Sequence, residues 1–189
     1  MRRLSVRPPL TLKGRKFKGL RGWSGKPFHP PLTDFPIVAY VLAAVFDVIS
    51  AVAGKDHSWA RELWHAGTYV FVGGAAVSVL AALTGLWDAW RSSEAGTQAR
   101  RTINAHATIM ITVTVLALVD IAWRLRDYNT EAVTPVGIAV LSVAIGLLVS
   151  VGATFGGSLV YDYGFNVETA GDHPVWHKSD TDVFPGQHD

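Results

Sequence analysis

Residues 101–124 read RTINAHATIMITVTVLALVDIAWR, and between the two terminal arginines only His106 and Asp120 are ionisable. Twenty-two residues of helix rise ~33 Å, enough to cross a hydrocarbon core about 30 Å thick. No soluble domain of this size needs such a segment, and it is not alone. Apolar blocks at Pro36–Gly54, Leu63–Trp87, Ile103–Trp123 and Val136–Tyr161 are each long enough to span a bilayer. Short connections between consecutive spans favour an all-α, up-down bundle of four transmembrane helices. Thr33 or Asp34 is expected to cap span 1 with Pro36 in its first turn, and Thr134 to cap span 4 ahead of Pro135.

Charge sets an orientation. Thirteen Lys and Arg lie on the side that holds the two tails and the 88–102 loop, against four in the 55–62 and 124–135 loops. The positive-inside rule then places both termini in the cytoplasm. Trp59, Trp64 and Trp123 are expected to mark one interface, Trp87 and Trp90 the other. Nine basic residues precede Asp34 without a compact apolar run or a small-residue cleavage site, so the first span reads as a retained anchor. Residues 1–28 form a basic arm with interleaved aromatics, suited to an anionic leaflet or an acidic partner. Residues 29–168 are the membrane domain, and residues 169–189 a polar acidic tail in which His173 and His177 flank Pro174. The positive charge is accounted for by the membrane, which argues against nucleic acid as a partner.

The chain has no cysteine, which excludes disulfides, covalent c-type haem, thiolate iron–sulfur clusters and Cys-containing zinc sites. Every lysine lies outside the spans, so a retinal Schiff base is excluded as well. Histidine remains, and an ionisable group at membrane depth is a functional candidate. His29 stands before Pro30-Pro31 at the cytoplasmic end of span 1. His106 lies five residues past Arg101, about 8 Å up a helix on the same side. The two can meet. His65 belongs to the outer layer with Asp47, and a carboxylate–histidine pair between them is expected, the arrangement that orients a ligand histidine. Asp120 is expected to pair with Arg124 one turn on. For each histidine the alternative is a hydrogen bond to a neighbouring helix, without any ligand. Gly73, Gly74, Ala75, Ala76 and Gly152-x-x-x-Gly156 read as sites of close helix approach. No internal repeat stands out.

Several short motifs, in order, carry a resemblance: His29-Pro30, Asp34-Phe35-Pro36-Ile37, Asp47, Thr84-Gly85-Leu86-Trp87-Asp88, His106 near Asn104, Gly156-Gly157-Ser158-Leu159-Val160-Tyr161 and Tyr163-Gly164-Phe165-Asn166-Val167. Over residues 28–168 the chain resembles a family of bacterial four-helix membrane proteins of unknown function, whose members are sometimes fused to a Rieske-type iron–sulfur domain. The family pattern of His-Pro, Gly-x-x-Asp, a His opening span 3 and Gly-Gly-x-Leu-Val-Tyr maps onto His29, Asp88, His106 and Gly157–Tyr161. The resemblance implies electron transfer in a bacterial inner membrane.

The expectation from all of this is a small b-type cytochrome subunit that relays electrons within a membrane redox complex. His29 and His106 are its candidate haem b ligands. His65, oriented by Asp47, is a candidate for a second haem or a quinone at the outer end. A cofactor-free anchor or assembly subunit is the alternative. A transporter built on Asp47, His65 and Asp120 is less well supported, because four short unbroken spans lack the discontinuous helices such folds use.

Overall fold

The computed structural model describes Leu20 and residues 27–167. Most of the basic arm and the acidic tail, with His173 and His177, lie outside the described residues. Four helices follow one another, α1 His29–Ala53, α2 Ser58–Ser92, α3 Gln98–Asp127 and α4 Val136–Tyr161. All four are long and apolar enough to cross a membrane, and no strand occurs among the described residues. At ~1.5 Å per residue α2 is about 52 Å long, so it extends past the bilayer core.

Helix ends follow local chemistry, in places differently from expectation. α1 begins at His29, seven residues before the apolar block, because Pro30 and Pro31 occupy its first turn, where a missing N–H costs nothing. Neither Thr33 nor Asp34 is the cap, and Pro36 sits inside the helix. Gly54 ends α1 at φ 74, a left-handed value that suits glycine. Thr97 caps α3, its hydroxyl accepting the Arg100 N–H at 3.1 Å. Thr134 does not cap α4: its N–H donates to Ser50 Oγ at 3.0 Å, and its hydroxyl donates to Asp47 at 3.3 Å.

Consecutive helices pack on one another, and α4 closes the ring against α1, while the diagonal pairs make no backbone approach. α1 and α2 form one tight hairpin, α3 and α4 another; the α2–α3 contact is the sparsest of the four. Small residues allow the tight seams. A Cβ at Gly74 would collide with Ala39 of α1, and one at Gly152 with Met110 of α3. Tyr40, Phe71, Val113, Ala117, Ile145 and Val149 fill the centre. The outside is apolar, with Val45, Leu80, Leu118 and Leu147 exposed, whereas Asp47, Asp120 and Arg124 are fully buried. That inversion is what lipid as solvent demands. Trp59, Trp87 and Trp90 are exposed near the helix ends, but Trp64 is not a belt residue: it is fully buried in the core.

Candidate functional site

The diagonal helices α1 and α3 come together through side chains, with polar meetings near each end. At the end where α1 starts and α4 finishes, His29 and His106 face each other, their ring centres 6.4 Å apart and their planes at 78°. Each imidazole is held by the second helix of its own hairpin. His29 Nδ1 lies 2.8 Å from the Ala81 carbonyl of α2, and His106 Nδ1 lies 2.8 Å from the Gly152 carbonyl of α4. A carbonyl only accepts, so in both rings Nδ1 carries the proton and Nε2 keeps its lone pair. Hydrogen bonding to a neighbouring helix and availability for a ligand are therefore compatible here: one nitrogen does the first and leaves the other for the second.

The glycines next to these carbonyls explain two of the sequence motifs. Gly85 is one turn past Ala81, and a Cβ there would sit 2.7 Å from the His29 ring. Gly156 is one turn past Gly152, and a Cβ there would come within 3.3 Å of the His106 ring. Both hairpins thus make the same construction: a histidine in the first third of the first helix, a carbonyl and then a glycine four residues later on the second. The repeat extends to the far end, since His29 and Asp47 are 18 residues apart, as are His106 and Arg124. Eighteen residues make five helical turns, so each pair shares a helix face. Sequence reading missed this because the repeated positions carry different residues, Ala81 against Gly152 and Asp47 against Arg124.

Both histidines line a cavity of about 440 Å³, within the range of small-molecule and cofactor sites. Its wall is mostly apolar, including Pro36, Ile103, Met110, Val149 and Leu159, with Tyr40 and Ser78 toward the far end. The Tyr40 hydroxyl donates to Ser78 Oγ at 3.2 Å. Asp88 stands at the other end of the cavity, where one carboxylate oxygen accepts the Leu20 N–H at 2.8 Å. From His29 to Tyr40 the cavity runs ~16 Å along α1. Among the described residues no group of three or more His, Cys, Asp or Glu comes together. A metal held here would have two protein ligands and would need its remaining ones from a larger group.

The far end holds a different cluster. Asp47 of α1 takes two guanidinium nitrogens of Arg124, in a forked ion pair, and Arg124 Nε donates to Asp120 at 2.5 Å. The guanidinium lies over the Trp64 and Phe71 rings, 5.3 and 4.7 Å from their centroids. All three charged residues are fully buried. Gly67 leaves room for this, because a Cβ there would press on Asp47 at 3.1 Å. The expected Asp120–Arg124 pair is present. The expected Asp47–His65 pair is not: Asp47 is engaged by Arg124, and the His65 ring stacks on Tyr128 at 4.4 Å, with Nε2 donating to the Tyr128 carbonyl at 3.3 Å. His65 stays at the far end, apart from His29 and His106. Asn104, two residues before His106, is exposed.

Fold and site together define a four-helix membrane protein with a cofactor-sized cavity between two hairpins. The chain belongs to the family described as Predicted membrane protein (DUF2231), whose model matches residues 25–169. No curated protein and no protein of solved structure matches the chain.

Proposed function

We propose that this protein is a small b-type cytochrome subunit, with one haem b held between His29 and His106, that relays electrons within a membrane redox complex. The observation that carries the reading is the pair of imidazoles, each anchored through Nδ1, that line one mostly apolar cavity. Metal–imidazole bonds are ~2 Å long and a ring centre lies about 1 Å behind its nitrogen, so two histidines holding one metal ion between them would have ring centres ~6 Å apart. The 6.4 Å found matches that span. A porphyrin supplies the four other ligands that the described residues lack, and its two faces are alike, as are the two hairpins. When bound, haem would provide one-electron chemistry, and the protein sets its potential through the axial ligands and the polarity around them. The carbonyls of Ala81 and Gly152 fix the tautomer and orientation of the two imidazoles.

His65 and Asp47 have no part in this reading, because both are engaged elsewhere. Both termini are assigned to the cytoplasm of a bacterial inner membrane on the thirteen-to-four charge asymmetry. The partners in this reading are bilayer lipids and the other subunits of the redox complex, the basic arm offering a contact for the latter.

A reduced-minus-oxidised absorption spectrum of the purified protein tests the reading directly. Haem b gives a Soret band and sharp reduced bands, whereas a cofactor-free anchor subunit gives neither. The glycines give a graded test. Gly85→Ala drives a methyl into the His29 ring, so it is expected to lower haem affinity by ~10–100-fold, the usual cost of disturbing a group that orients a ligand. Gly156→Ala is expected to cost less, because its neighbour need give only a few tenths of an ångström; equal and negligible losses would refute the cradle. Topology is checked separately. Reporter fusions after Tyr128 and after Glu168 should report opposite sides, the second cytoplasmic, and a periplasmic second fusion would reverse the orientation.

A further inference from the structure

The cavity has three kinds of wall. At the end nearer the termini the chain itself covers it: Pro27 and the turn at Phe165–Val167 line it. That cover is tied down, with Leu20 bonded both to Asp88 and to the Phe28 N–H, and the Phe165 N–H bonded to the Leu159 carbonyl at 2.7 Å. Toward the far end the packed core closes it. Three of its sides are the closer α1–α2, α3–α4 and α1–α4 seams. The fourth is the α2–α3 seam, the sparsest in the bundle, where the short side chains of Ala82, Ala89 and Ala107 line the cavity and Arg100 of α3 donates to the Ala89 carbonyl at 3.1 Å. Leu86 of α2 and Ile111 of α3 both line the cavity and are both 50% exposed. Both belong to helices long and apolar enough to cross the membrane.

We infer that the cavity is loaded sideways from the bilayer, through a portal between α2 and α3, and that its ligand is a membrane-partitioning planar molecule. The identification of that molecule as haem rests on the reading given above; the portal does not. A porphyrin is amphipathic enough to dissolve in a leaflet, and an apolar seam admits it without the desolvation that a polar mouth would impose. The tied cover over the other end then has no need to open. Small side chains at the seam let the two hairpins part there, while the buried Asp47–Arg124 pair keeps them joined at the far end.

Two measurements in liposomes test this. The chain has no native cysteine, so Leu86→Cys/Ile111→Cys can be bridged by a short bis-maleimide across the seam. The bridged apoprotein should take up haem from haem-loaded vesicles far more slowly than the same double-cysteine protein capped with N-ethylmaleimide, which carries both adducts without the bridge. Uptake at the capped protein's rate after bridging would overturn the portal. The second measurement needs no haem. A nitroxide on Ser78→Cys, inside the cavity, should collide with oxygen from the lipid phase and be shielded from an aqueous nickel chelate. Collision with the nickel chelate would show that the cavity opens to water and would overturn the inference. If wild-type protein takes up no haem while the nitroxide reports lipid access, the portal stands and the haem reading falls.

Discussion

Replacing His106 with Ala is expected to remove the low-spin spectrum that the proposed haem site would give, and replacing His29 is expected to do the same. In the proposed site each histidine would hold the haem from its own hairpin, so losing either would replace the low-spin spectrum with a high-spin one or lose haem altogether. The two variants should be alike because the two hairpins hold their imidazoles alike, each through Nδ1 to a carbonyl 2.8 Å away. His65→Ala is the control, and its spectrum should match the wild type. The check is absorption spectroscopy alongside size-exclusion profiles, which separate loss of haem from loss of fold. Folded His29 and His106 variants that keep the wild-type spectrum would refute the site and turn attention to His65.

A second large effect is expected at the other end of the molecule. Arg124→Met leaves Asp47 and Asp120, both fully buried, without their cation. Removing one partner of a buried ion pair costs about 3–5 kcal/mol, because the charge left behind is desolvated and unpaired. The expected result is a large fall in stability, read as unfolding in mixed micelles at lower denaturing detergent. The triple variant Asp47→Leu/Asp120→Leu/Arg124→Met should recover much of the loss, since apolar packing can replace a buried ionic cluster. The folded fraction of Arg124→Met should keep the histidine site intact, because none of the cluster's three charged residues lines that cavity. Wild-type stability in Arg124→Met would mean the cluster does not join the hairpins.

The sequence by itself determined the number of membrane helices and the depth of each ionisable residue. Both follow from one dimension: length against bilayer thickness, and ~1.5 Å of rise per residue from the nearest charged end. That was sufficient to put His29 beside His106 and to keep His65 away from them. It was also sufficient for Asp120 and Arg124, whose pairing is local to one helix. Direction around the helix axis relative to a neighbour is not contained in that dimension, and here only the tertiary structure decided. Asp47 lies near His65 in depth, yet packing turns it to Arg124, 77 residues away, because a forked guanidinium satisfies a buried carboxylate better than one imidazole nitrogen. Trp64 has the spacing of an interfacial residue but covers that same guanidinium. Gly85 and Gly156 read as packing glycines until the rings they accommodate are seen beside them. The repeat of the two hairpins was hidden for the same reason: what repeats is a backbone carbonyl and an empty Cβ position, and neither depends on sharing a side chain.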